Sequence, residues 1–270
     1  MRIVLISVLL SASAHAASVS NPTLVEQGYR QMYNLDFDAA HRSFDEWQRL
    51  HPQDPIGPVS DAAAYLFNEF DRLHILQSQF FVEDSSFRGM KKPVADPQLK
   101  QKFEAALAKG QRLSDAVLHR SPQDKDAMFA SILRIGLRSD YLSLIEDRNM
   151  AALSEMKTSR MMAEKLLTLD PTYYDAYLAV GVENYMLSLK SAPARWLLRL
   201  GGAQTDKDRG VAKMKLAAQN GHYLQPFARL LLAVQNLRDK NRAAAKELLA
   251  GLARDFPRNH LYATELAKLK

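Results

Sequence analysis

Apolar residues recur three and four positions apart along most of this chain, in blocks that repeatedly end on a proline. Three such ends are Trp47-Gln48-Arg49-Leu50-His51-Pro52, Leu166-Leu167-Thr168-Leu169-Asp170-Pro171 and Leu252-Ala253-Arg254-Asp255-Phe256-Pro257. The period marks helices with one apolar face, and a proline just past the last turn stops a helix. Paired across short polar turns, the blocks predict five hairpins: 22–35 with 37–50, 58–82 with 97–119, 124–146 with 149–169, 172–188 with 207–219, and 224–238 with 241–255. A closing helix follows at 258–269, helix breakers fill 83–97, and 190–205 interrupts the fourth hairpin. Strand-like alternation does not occur beyond the first residues, so the fold class is all-α. Hairpins of this kind bury their faces by stacking, which predicts an α-solenoid whose function lies on a shared surface.

Gly28 and Gly181 fall in mid-helix, where glycine costs about 1 kcal/mol relative to alanine. Such a cost is expected where a neighbouring helix approaches closely. Ala40, Ala218 and Ala245 supply small side chains at the matching places on second helices.

With Gly28, Met32, Tyr33, Ala40, Phe44 and Pro52 in its first hairpin, the chain resembles a tetratricopeptide repeat (TPR) protein. A unit of that family takes about 34 residues. The pattern returns at Pro171 with Asp175-Ala176-Tyr177-Leu178-Ala179-Val180-Gly181, and in Ala245, Leu249 and Pro257, with Ala233 where the last unit's first glycine would stand. The stretches 22–55, 172–220 and 223–257 carry the resemblance best, and 61–153 departs from it most. Over 160–262, Tyr173-Tyr174-Asp175, Ala194-Arg195-Trp196, Asp208-Arg209-Gly210 and Asn220-Gly221-His222-Tyr223 are similar to a bacterial TPR group. That group is distantly similar to the outer-mitochondrial-membrane and inclusion-body-clearance TPR proteins. The resemblance implies a TPR-like solenoid of about five antiparallel helix hairpins with a C-terminal capping helix, acting as an interaction scaffold with a protein or peptide partner. It supplies no catalytic residue and no cofactor.

The first residues add a destination. Met1-Arg2 precedes a short apolar run and then Ala14-His15-Ala16, the three-part pattern of a secretory signal peptide over 1–16. The solenoid is then expected over 17–270, exported to the periplasm or beyond. The chain has no cysteine, so neither a disulfide nor a lipid-bearing thiol is available.

Net charge is +6, spread over many helices, which argues against a nucleic-acid face needing a basic stripe. Metalloprotease, nucleophile-elbow and phosphate-loop spacings are all missing. The histidines His41, His51, His74, His119, His222 and His260 stand far apart, and helix capping or solvent exposure is the expected role. No catalytic residue, metal ligand or cofactor is therefore assigned.

Two binding surfaces are candidates. First helices of TPR hairpins line a concave groove, which would gather Tyr29, Met32, Tyr33, Leu178, Val182, Tyr185 and Met186 as adaptable aromatic and thioether contacts. The insertion Arg195-Trp196-Leu197-Leu198-Arg199-Leu200 forms a short amphipathic helix, and Arg195, Trp196 and Arg199 could meet a membrane surface. A protein-binding scaffold is the leading expectation. The alternative is a carrier of an apolar small molecule or lipid, or a membrane-peripheral factor, with a closed superhelix.

Overall fold

A computed structural model describes residues 22–75 and 94–269. The expected signal peptide, much of the 83–97 breaker segment and the end of the second hairpin's first helix lie outside the described residues. Among those described there are twelve helices and no strand. They are α1 (Leu24–Tyr33), α2 (Phe37–Leu50), α3 (Ile56–Arg72), α4 (Pro97–Arg120), α5 (Lys125–Leu144), α6 (Asn149–Leu169), α7 (Ala176–Ser188), α8 (Ala192–Leu200), α9 (Lys207–Asn220), α10 (Gln225–Arg238), α11 (Arg242–Asp255) and α12 (His260–Ala267).

Polar side chains start most of these helices. Thr23 and Glu26 form a reciprocal capping box on α1, and Asp36, Asp96, Asp124, Asp206, Asn241 and Asn259 each accept a backbone N–H at their helix's first turn. Proline follows the ends of α2, α4, α6 and α11, at Pro52, Pro122, Pro171 and Pro257. The hairpins are α1–α2, α3–α4, α5–α6, α7–α9 and α10–α11, with α12 closing the series against α11. Each hairpin packs on the next, and the first helices α1, α3, α5 and α7 also meet in sequence, which makes an all-α solenoid of TPR-like hairpins.

The mid-helix glycines sit at close approaches. A Cβ on Gly28 would fall 2.3 Å from the Phe44 ring, and one on Gly181 would fall 2.9 Å from Met214 N and 3.0 Å from Gly210 O. Gly210 completes the second contact, because its own Cβ would lie 2.6 Å from Tyr185 N. The α7–α9 pair therefore touches backbone to backbone at Gly181 and Gly210, not across Ala218.

The sequence pattern places the end of the second hairpin's first helix at 82, but α3 stops at Arg72. His74 takes the left-handed conformation at φ 57°, Ile75 N donates back to Phe70 O at 2.8 Å, and the Ile75 side chain is buried behind the turn. This combination of a left-handed residue, a backward bond and an apolar contact ends a helix without glycine. Glu69, also buried, accepts from Arg72 and from the backbone N–H of Asp96, tying the start of α4 to the end of α3.

The series curls until its two sides meet. Tyr29 stacks on Tyr223 with ring centres 5.1 Å apart, Tyr33 lies 5.5 Å from Phe256, Phe67 lies 5.6 Å from Phe227, and Phe129 lies 6.2 Å from Tyr223. Polar bonds seal the same seam. Tyr33 Oη donates to Tyr223 O at 3.1 Å, Asn259 Nδ2 donates to Tyr33 O at 2.9 Å, and Arg258 pairs with Asp36 at 2.8 Å. The axis of the superhelix is thus packed with the chain's own aromatic side chains.

Two outcomes follow. Gly210→Ala should lower stability by about 1–3 kcal/mol in urea denaturation, because overpacking against Tyr185 N outweighs the helix propensity gained. Asp140 on α5 is pushed by burial from 3.8 up to about 7. Between those values the unfolded chain releases a proton that the folded chain keeps, so stability falls as pH rises through the window and levels off above it. Asp140→Asn should therefore gain on the parent steadily from pH 4 to about 7, read from denaturation midpoints at each pH.

Candidate functional site

The seven residues expected to line a groove do not share an accessible surface. Tyr29, Met32 and Tyr33 are buried in the main core, where the aromatic seam covers them. Burial drives both tyrosine hydroxyls well above the ordinary phenol range. Leu178 and Tyr185 are buried in a second cluster with Met214, Ala217 and Leu232, against α9 and α10, and Val182 packs partly into it. Met186 alone of the seven is exposed. Two physical reasons apply: the curl sets Tyr29 and Tyr33 against side chains from the far end of the series, and the close approach of α7 to α9 turns Leu178 and Tyr185 toward α9 and α10.

The inserted segment is placed differently. Ser191 and Pro193 start α8, and Gly201 with left-handed Gly202 ends it, Ala203 N donating back to Leu198 O. None of its residues is buried. Trp196, Leu197 and Leu200 are 64%, 65% and 67% exposed, and Met186 and Leu189, at the end of α7, are exposed as well. Arg199 is exposed, with its Nε donating to Thr205 Oγ1 at 2.6 Å. Arg195 corrects the expectation of a surface arginine. It is half-buried, its guanidinium donating to Ser188 O and Lys190 O at the carbonyl end of α7, where cationic groups are favoured.

Since α8 buries no apolar side chain fully, polar groups must hold it. Arg160 of α6, itself buried, donates through Nε to fully buried Glu183 at 2.9 Å, through Nη1 to Glu164 at 2.5 Å, and through Nη2 to Gly202 O at 3.2 Å. Gln204 N donates to the other oxygen of Glu183, and Gln204 Nε2 to Glu164 at 2.7 Å. Asn184 donates to Gln204 and accepts from Asp206 N, while Lys157 Nζ reaches Gly201 O. A buried carboxylate such as Glu183 is tolerated only when paired and hydrogen-bonded, and here every partner serves the return of the chain from α8 to α9.

Arg160, Glu183, Asn184 and Gln204 were not singled out by the sequence reading. The available signal was Glu183-Asn184 inside an otherwise apolar helix, two polar residues where the period demands a buried face. Leu197 and Leu200 join Trp196 on the displayed face.

Elsewhere, His41 departs from the expected role of helix capping or solvent exposure. Its Nδ1 lies 2.5 Å from buried Asp61, and its ring centre is 4.0 Å from that of Tyr65, joining α2 to α3. Among the described residues no group of three or more histidine, aspartate or glutamate side chains could hold a metal ion, and no helix is long and apolar enough to cross a membrane. An open depression of about 480 Å³ is lined by Ser121, Pro122, Gln123 and Asp124 at the α4–α5 turn.

The fold and this displayed helix define an α-solenoid of TPR-like hairpins with an outward-facing insertion. No protein-family model and no curated protein sequence matches the chain. Among solved structures it is similar to a thermophilic TPR protein of Thermus thermophilus, at 14% identity and a TM-score of 0.46, over 91% of this chain and 96% of that one. The helix pairing of this chain, not that likeness, carries the description of the fold.

Removing one partner from a buried ion pair costs about 3–5 kcal/mol. Arg160→Met should lose stability of that order and speed hydrogen exchange across 190–206. Arg160→Met with Glu183→Leu should recover most of the stability, a coupling that a double-mutant cycle measures.

Proposed function

We propose that this protein is a non-catalytic interaction scaffold of the bacterial cell envelope, and that its interaction surface is the outward face of α8. The observation that carries the reading is a helix whose apolar side chains are exposed while a buried polar clamp fixes both its flanks. Exposed contiguous apolar side chains on a folded protein mark interaction sites. A fixed display also lowers the ordering cost that a flexible loop would incur on binding. The envelope assignment rests on the signal-peptide pattern of 1–16.

A carrier holding an apolar molecule along the superhelix axis has less support. Tyr29, Tyr33, Phe67, Phe129, Tyr223 and Phe256 fill the space that such a cargo would need. A membrane-peripheral role has a specific observation behind it, the tryptophan and leucines of α8 beside basic side chains.

Leu197→Ser with Leu200→Ser should leave the melting temperature unchanged, since both residues are exposed. The same variant should lose the envelope components, protein or lipid, that the parent retains in affinity capture with mass spectrometry. A fall in stability, or unchanged capture, would show that the face is not the interaction surface.

A further inference from the structure

Resting on the reading of α8 as the interaction surface, we propose that its occupant is an anionic lipid surface. Charge points that way. From Met186 to Thr205 the ionisable side chains are Lys190, Arg195 and Arg199, with no aspartate or glutamate among them. Lys157 brings a further ammonium to the carbonyl end of the helix, at Gly201 O. Of the carboxylates nearby, Glu164 and Glu183 are bonded to Arg160 and Gln204 within the clamp, and Asp206 caps α9 by accepting from Arg209 N. Anionic headgroups complement this arrangement. A second copy of the chain does not, because a two-fold contact would set these basic side chains against their own equivalents.

Shape and size point the same way. A stable protein interface buries about 800 Å² on each side. Three exposed apolar side chains on one nine-residue helix fall short of that, where even a large aromatic side chain supplies about 150–250 Å². A lipid surface asks for no matching groove. It asks for apolar side chains on one side of a helix, basic groups beside them, and an aromatic residue able to sit at headgroup level. Trp196, Leu197 and Leu200 meet the first and last of these requirements, and Lys190 and Arg199 the second. The nine residues of α8 make a helix about 13 Å long, so contact is shallow, reversible and sensitive to salt. The clamp keeps the helix folded before contact.

The test is co-sedimentation of the mature-length protein with vesicles of phosphatidylcholine alone or mixed with phosphatidylglycerol, at low and high salt. Trp196 emission is followed in a Trp47→Phe background. The expected result is binding to the phosphatidylglycerol vesicles with a blue shift of Trp196, weakened at high salt and absent on phosphatidylcholine. Leu197→Ser with Leu200→Ser should lose at least about tenfold in apparent affinity, and Lys190→Glu several-fold, each with an unchanged circular dichroism spectrum. No binding of the parent to phosphatidylglycerol vesicles at low salt overturns the proposal, as does binding indifferent to the leucine substitutions. An α8-dependent dimer seen by light scattering without lipid also overturns it, assigning the face to a second copy. If vesicles fail but α8-dependent capture of an envelope protein persists, the lipid assignment falls and the scaffold reading stands. If both fail, both fall.

Discussion

The solenoid's closure depends on the Asp175 carboxylate. It is buried at the start of α7 and accepts the backbone N–H groups of His222, Tyr223 and Leu224 at 3.0–3.1 Å. Burial pushes its carboxyl upward, while those three N–H groups pull the other way. Gly221 makes the approach feasible, because a Cβ there would fall 2.7 Å from Asp175 Oδ1 and 2.5 Å from Ala217 O. The turn so fixed aims Tyr223 inward, onto Tyr29 of α1 and toward Phe129 of α5. One carboxylate thus joins the fourth hairpin to the fifth and seats the ring against which the first hairpin closes.

Two kinds of cohesion divide the molecule. Along the axis the contacts are mainly aromatic, with a few hydrogen bonds at the seam, and they specify shape through area and ring packing. Around α8 the contacts are charged and hydrogen-bonded, and they specify position without covering apolar surface. Clusters of the first kind conceal hydrophobic residues, whereas a clamp of the second kind leaves them outside. The contrast explains why two of the three tyrosines that looked suited to binding, Tyr29 and Tyr33, are core along the axis, and why the leucines of a two-turn insertion are surface.

Much of the fold was legible because it is local. Apolar period, capping residues and terminal prolines fixed the helix pairs, and α6 begins and ends where the pattern placed it. The end of α3 was not legible. A helix stop built on left-handed His74 with buried Ile75 carries none of the glycine or proline that usually announces one. The groove was misplaced for a different reason. Spacing tells that Leu178 and Tyr185 share a face, but only the Gly181–Gly210 contact decides that this face turns toward α9. Closure itself joins Tyr33 to Asn259 across most of the chain, a separation to which no periodicity refers. Of the site, Trp196 and Arg199 were visible from the amphipathic pattern of the insertion, while Arg160 and Gln204 acquire a role only once the chain returns from Gly202.

An open row of hairpins behaves as a line of neighbours, each stabilised by the next, and it loosens from its two outermost units inward. Joining α1 to the residues that precede α10 and α12 turns that line into a loop of dependencies. The first described hairpin has the fifth as a neighbour as well as the second, so it is not an outermost unit at all. Opening the first described hairpin therefore means breaking its contacts with Tyr223, Phe256, Arg258 and Asn259 as well as those with α3, in a chain with no cysteine to form a disulfide.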